Sequence, residues 1–392
     1  MGLTGRPYAS AMLTPLEPST QSRPLRVLVL SWRDEHHPEA GGAEVYLQRV
    51  TSALAARGHH ITMQAARFPG SLHQESLDGR VVQRRGGRYS VYAHGLGAAI
   101  RSGHRYDVIL DVQNGVPFWA PLGTKTPVVT LVHHVHREQW AQVFDQRRAA
   151  LGWFLERKVA PVVYRHCGVI TVSQSTRREL IGLGFNGDHI HIANPGIDPP
   201  IECHPVDPVA APGPVLVVVG RLVPHKRVEI ALGTVKRLSN KFPELRLEVL
   251  GHGYWEGELR RIAENMGISD RVRFAGYVSE QEKTDVMAKS RLALLPSLKE
   301  GWGLVILEAA ALGVPTVAFR AAGGVTESIV EDYTGVVVGN QEEFEVAVER
   351  LLRDDNERRR LSENARAHAA NFLWDRTASE VERVLANYSR KR

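Results

Sequence analysis

Six prolines fall within the sixteen residues from Pro199 to Pro214. Neither a helix nor the interior of a sheet accepts that density, because each proline removes a backbone donor and fixes φ. The segment reads as a connection, and what lies on either side reads as separate folding units. At 392 residues the chain is long enough for two units with cores of their own. The expected boundaries are a disordered tail over residues 1–24, a first domain over 25–198, a linker over 199–214 and a second domain over 215–373. A last helix over 374–392 is expected to pack back toward the first domain.

The two long stretches share one rhythm. Arg26 to Ser31 is an apolar strand, the pair Gly41-Gly42 follows, and Glu44 to Arg57 repeats apolar residues at helical spacing until Gly58 stops it. Strand candidates at Ile61 to Ala65, Val108 to Asp111, Val128 to His133 and Val169 to Ser173 then alternate with helical stretches. After the prolines the alternation restarts at Val215 to Val219 and continues through Leu245 to Leu250, Val272 to Ala275, Leu292 to Leu295 and Pro315 to Ala318. Apolar strands alternating with helices mark a parallel sheet covered on both faces. The expected fold class is α/β, with two doubly wound Rossmann-like domains facing a central cleft. Ligands of such sheets sit beyond the carboxyl ends of the strands.

Composition removes several classes of function. Hydrophobic residues make up 43% and charged residues 23%, the balance of a packed globular protein. No apolar run approaches the roughly 18 residues of a membrane span, and the first 25 residues lack the apolar stretch of a signal peptide. Cys167 and Cys203 lie far apart without a CxxC spacing, which points to a reducing, cytoplasmic setting and away from disulfide or cysteine–zinc scaffolds. The net charge of +6 is concentrated early, with 22 Lys and Arg against 15 Asp and Glu in residues 1–200. With no binding module and no basic stretch interleaved with aromatics, nucleic acid is not an expected partner. Peripheral contact with an anionic membrane is one reading of Leu151 to Ala160, where aromatics and cations adjoin. A helix packed inside the first domain is the competing reading.

Four segments carry candidate chemistry. Glu300-Gly-Trp-Gly-Leu-Val-Ile-Leu-Glu308 brackets a glycine turn and the start of a helix with two carboxylates, groups that accept hydrogen bonds from paired sugar hydroxyls. Gly220-Arg221-Leu-Val-Pro-His-Lys226 follows the first strand of the second domain, so Arg221 and Lys226 project from a strand end, where two cations can clamp a diphosphate leaving group. Gly41-Gly42-Ala43-Glu44 stands at the first strand-to-helix turn, where glycine lets backbone approach a ligand. His133-His134-Val135-His136 closes another strand. Each also has a plain reading: a capped turn, solvated surface cations, or structural histidines. No third ligand supports a zinc site at the histidines, and no Asp-x-Asp pair occurs.

The order of these segments, together with "VITVSQSTRRELIGLGF", "NPGID" and the closing "EGWGLVILEAAALGVPTVAFRAAGGVTESI", closely resembles glycosyltransferase family 4 from about Leu25 to Trp374. The resemblance implies a GT-B fold and transfer of a hexose of glucose or mannose type, with retention, from a UDP-, GDP- or ADP-hexose to a glycan, lipid or small-molecule acceptor. It implies that Arg221 and Lys226 bind the donor diphosphate, Glu308 the ribose, and Glu300 with the backbone of Gly301, Trp302, Gly303 and Leu304 the sugar hydroxyls. Gly42 would touch the phosphate from the other domain, and the peptide at Tyr277-Val278 would meet the base. His133 matches the active-site histidine, with His134 as the adjacent register. Gly324 and Glu327 match a glycine turn and following acid with a structural role and a potential base or phosphate contact. Two departures stand out: Tyr333 replaces a common glycine, and the loop Arg137 to Trp140 lies where acceptors bind. No cofactor or metal is expected. The alternatives are a nucleotide-sugar epimerase of similar fold and a non-catalytic sugar-nucleotide-binding protein.

Overall fold

The computed structural model describes residues 23–198 and 213–390. The tail expected over 1–24 lies almost wholly outside the described residues, and so does most of the linker. Fourteen strands occur among the described residues. Eight form the first sheet: β1 (Arg26–Leu30), β2 (His60–Ala65), β3 (Gln74–Leu77), β4 (Arg80–Arg84), β5 (Val108–Gln113), β6 (Val128–Val132), β7 (Gly168–Thr171) and β8 (Ile190–Ile192). Six form the second: β9 (Val215–Val219), β10 (Arg246–Leu250), β11 (Val272–Gly276), β12 (Leu292–Leu295), β13 (Thr316–Phe319) and β14 (Gly335–Val338).

The first sheet runs β3-β4-β2-β1-β5-β6-β7-β8 and the second β11-β10-β9-β12-β13-β14. Every pairing is parallel except the edge hairpin β3–β4, where Asp78 and Gly79 both adopt positive φ in a tight turn. Both sheets reverse direction beside their first strand, between β1 and β5 and between β9 and β12. That reversal opens the crevice where doubly wound sheets take ligands. The central strands are buried on both faces, as their mainly apolar sequences require. These two Rossmann-like sheets give the two-domain α/β architecture expected from the sequence.

The lobes meet at an apolar base. Trp302, from the second lobe, is 5% exposed and joins a cluster with Tyr46, Leu47, Val172 and Ile197 of the first. Phe372 packs against its ring at 5.5 Å. The last helix, Trp374–Ser389, lies on the first lobe, where Arg57 and His59 both bond Glu382. At the crossings between lobes, Ile197 pairs with Leu373, and the Ile197 amide donates to the Phe372 carbonyl at 3.0 Å.

Candidate active site

The second lobe supplies the positive side. β9 ends at Val219, and Gly220, with φ +149, turns the chain so that Arg221 and the turn Pro224–Lys226 overhang the strand ends. Lys226 Nζ lies 2.5 Å from Glu300 Oε1, with the two side chains 22% and 12% exposed. Arg221 reaches toward the other lobe, its Nε 3.4 Å from where a Cβ on Gly41 would stand. Burial pulls the Arg221 pKa down, and Arg33 adds repulsion that Glu44, Glu39 and Glu300 oppose. Burial likewise holds His225 down at about 4, with Lys226 and Arg221 contributing. The histidine between the two cations is therefore neutral near pH 7.

The acid side begins where β12 ends. Ser297 lines a narrow crevice with Gly220, Arg221 and Lys226. Its Oγ is buried there without a hydrogen-bond partner. Gly303 takes φ +87, a region that resists any residue with a Cβ, and so redirects the chain into the helix Leu304–Ala311. The first N–H groups of that helix have no partner within it, which suits oxygen-rich ligands. Glu308 stands one turn into the helix, 3.2 Å from Lys283 Nζ. The two glutamates of the motif thus each face a lysine, and Lys283 was absent from the sequence reading.

The first lobe presents a braced turn. Arg33 Nε donates to Glu44 Oε1 at 3.0 Å, and Glu44 Oε2 accepts the Gly41 amide at 2.8 Å. Glu44 therefore holds its own turn. Gly42 touches the opposite lobe directly, since a Cβ there would lie 3.3 Å from Leu304 Cδ1. His133 is 7% exposed and packs edge-on against Tyr46 at 5.1 Å. Burial, with His136 adding repulsion, pushes its pKa down to about 4, and its Nε2 has no partner. His134 differs: its Nε2 faces Gln139 Oε1 at 2.9 Å and its ring lies 4.2 Å from His136.

The lobes close on one another around this cleft. Gly301 presses so tightly on the His133 carbonyl that a methyl group there would collide with it. Glu327 accepts the amides of Gln174 and Ser175 at 2.7 and 2.6 Å, capping the helix Gln174–Leu183 of the first lobe. Lys299 pairs with Glu179 of the same helix. Arg221, Lys226, Glu300, Gly301, Leu304, Gly42 and His133 thus gather at one cleft.

Both oxygens of Glu327 are engaged by the facing helix, so its role is interdomain and leaves base or phosphate contact unsupported. The Trp302 indole turns into the apolar base, and its carbonyl accepts Ser328 Oγ at 2.9 Å, which leaves its amide as the group facing a ligand. Val278 packs into the core beside Leu250 and Met287, next to Tyr277, which is 81% exposed and 5.9 Å from His252. Arg137 to Trp140 is not a loop but the first turn of a helix, Arg137–Val143. Of the missed residues, Ser297 directly follows a predicted strand and precedes Glu300, so its place in sequence was a usable signal. Lys283 and Arg33 act through residues 25 and 11 positions away and left no such trace.

Charged and glycine-rich segments of both lobes thus meet at one cleft, and comparison places the chain among known proteins. A family model described as Glycosyltransferase Family 4 matches residues 40–200, and one described as Glycosyl transferases group 1 matches residues 205–368. The chain belongs to this glycosyltransferase family. D-inositol 3-phosphate glycosyltransferase of Stackebrandtia nassauensis is 32% identical over 56% of the chain and 54% of that protein. The enzyme of that name from Xylanimonas cellulosilytica is 28% identical over 90% of the chain and 93% of that protein. The chain thus matches about half the length of the first relative and nearly all of the second. Among solved structures, sucrose-phosphate synthase from Thermosynechococcus elongatus superposes with TM-score 0.77 at 20% identity, covering 92% of this chain and 98% of that one. Anabaena HepE, solved with UDP and glucose, gives 0.76 at 20% identity, covering 93% and 100%. Likeness at that identity speaks for the fold alone.

Proposed function

We propose that the protein is a retaining hexosyltransferase that uses a nucleoside-diphosphate sugar as donor. The observation carrying this reading is the convergence of Lys226, Glu300 and Arg221 with the Gly41-Gly42 turn of the opposite lobe. Arg221 and Lys226 stabilise the departing diphosphate. Glu300 and the amides of Gly301 to Leu304 hold the sugar, Glu308 the ribose, and the peptide at Val278 the base. His133, whose buried Nε2 has no partner, lies beside the transferred sugar. As the bond from the anomeric carbon to the diphosphate breaks, an acceptor hydroxyl adds from the same face and its proton passes to the leaving phosphate oxygen. The two cations neutralise the leaving group, so turnover proceeds without a metal ion.

The names of the relatives support a phosphorylated polyol as one acceptor class. A basic cavity supports an anionic acceptor too: Arg67, His73, Arg84, Arg85 and His94 line it where β2 and β4 end. No helix among the described residues is long and apolar enough to cross a membrane. A cytoplasmic enzyme with peripheral contact to an anionic bilayer is supported by exposed Leu151 and Phe154 beside exposed Arg147, Arg148, Arg157 and Lys158. Sedimentation with anionic vesicles at low salt but not high salt is expected, and none at either salt refutes the contact.

The decisive test of transfer is Lys226→Ala. With the donor chosen by thermal-shift screening of UDP-, GDP- and ADP-hexoses, kcat is expected to fall about 10²-fold while the variant stays folded. Transfer at the wild-type rate contradicts the assignment. Activity lost to a chelator and restored by Mn²⁺ contradicts metal independence.

A further inference from the structure

The helical run beside the cleft is irregular at one place. The helix Gln146–Phe154 passes into a π turn over Leu155–Val159 before resuming at Ala160–Val163. A π turn inserts an extra residue and re-aims the side chains around it, and such turns gather at functional sites. Here Glu156 points inward while the next two residues, Arg157 and Lys158, stay exposed.

The Glu156 carboxylate is 1% exposed, and three donor positions converge on it. Oε1 accepts the His136 amide at 3.0 Å and faces His136 Nδ1 at 3.2 Å, while Oε2 accepts Trp140 Nε1 at 2.7 Å. Two distant glycines make room for the indole. A Cβ on Gly115 would come within 2.8 Å of the Trp140 ring, and one on Gly152 within 2.5 Å. The helix Arg137–Val143, which carries Trp140, packs in turn against Pro224–Lys226, the turn bearing the diphosphate clamp.

His136 gains a defined polarity from this arrangement. A carboxylate only accepts, so the nitrogen facing it, Nδ1, carries a proton. Nε2 has no hydrogen-bond partner among the described residues. The ring stands close enough to His133, His134 and His225 to act on each electrostatically, which puts it on the cleft side of its helix.

The geometry points to Glu156 as the positioning residue of the acceptor side: through Trp140 it fixes the wall formed by Arg137–Val143, and through His136 Nδ1 it presents Nε2 to a hydroxyl of the incoming acceptor. Its kinetic consequence rests on the transferase reading, whereas the state of His136 does not.

Glu156→Gln keeps the shape but turns an amide donor toward one of the three converging donors. With the donor sugar selected by the thermal-shift screen and inositol phosphates as acceptor probes, E156Q is expected to lower kcat/KM for the acceptor about 10- to 100-fold. Affinity for the free nucleoside diphosphate is expected to stay at its wild-type value. Trp140→Phe removes the opposed indole donor, so the double variant E156Q/W140F recovers part of the loss and the cycle is non-additive. An additive cycle, or nucleotide affinity falling in step with acceptor kcat/KM, overturns the proposal. Histidine-selective long-range ¹H–¹⁵N spectra, with His136 assigned by its loss in His136→Asn, are expected to show Nδ1–H in the wild type. An Nε2–H tautomer there overturns it as well, and this readout needs no turnover.

Discussion

Two ion pairs stand near the cleft, one in each lobe, and they differ in what they leave over. Arg33–Glu44 in the first lobe is almost wholly buried, with side chains 6% and 3% exposed. Its members are tied further to the Glu39 carbonyl, the Gly41 amide and the face of Trp32. Lys226–Glu300 in the second lobe has a single contact and more exposure. Neither the other ammonium protons nor Glu300 Oε2 has a partner among the described residues. A pair whose hydrogen-bonding capacity is consumed by its own chain can only brace, whereas one with capacity to spare can receive a ligand. Burial that saturates a polar group marks structure; burial that leaves it wanting marks a site.

That contrast breaks most visibly at Arg33. Arg33→Met strands the Glu44 charge and is expected to lower stability by about 3 kcal/mol in urea unfolding, whereas Lys226→Met is expected to shift it by less than about 1 kcal/mol. Equal losses would erase the distinction between brace and clamp. The next largest effect concerns protons. His133 and His225 are held near pKa 4 in the folded protein, below the ordinary histidine value of 6.5. The unfolded chain therefore binds protons that the folded one refuses. Their contribution is fully present above about pH 6.5 and is lost as pH falls toward 4, on the order of 2 kcal/mol for buried His133. Replacing it by Gln is expected to flatten the acid limb of stability against pH, and an unchanged slope would refute its burial as a neutral ring. The smallest effect tests the contact between lobes. Glu327→Gln removes the charge capping Gln174–Leu183 and is expected to weaken closure by about 1 kcal/mol. This should appear as a several-fold rise in donor KM with little change in melting temperature; identical KM values would show that the contact plays no part in closing.

Legibility in the sequence followed how local each feature is. The strand–turn–helix rhythm and the clamp motif depend on neighbours within a dozen residues, and five of the second sheet's six strands fall where the rhythm puts them, β14 being the one it missed. The edge hairpin β3–β4 escaped, although Asp78-Gly79 is a strong turn signal, because its strands are short and half exposed. The Glu327 cap on a helix 152 residues away and the Glu156 anchor twenty residues from His136 rest on pairings across the fold. No period or spacing encodes them. His133 and His134 could not be separated by sequence because adjacent residues at a strand end face opposite ways, and only packing shows which nitrogen is already occupied.

The pairing of Ile197 with Leu373 has a mechanical consequence. The last described residues of the first lobe before the proline-dense segment and the start of the returning helix are thereby held together at one spot. Non-covalent contacts also span the gap, among them an apolar contact through Trp302 and polar contacts through Lys299 and Glu327. Any parting of the lobes would have to break those contacts while the Ile197–Leu373 pairing holds, which makes that pairing the natural hinge.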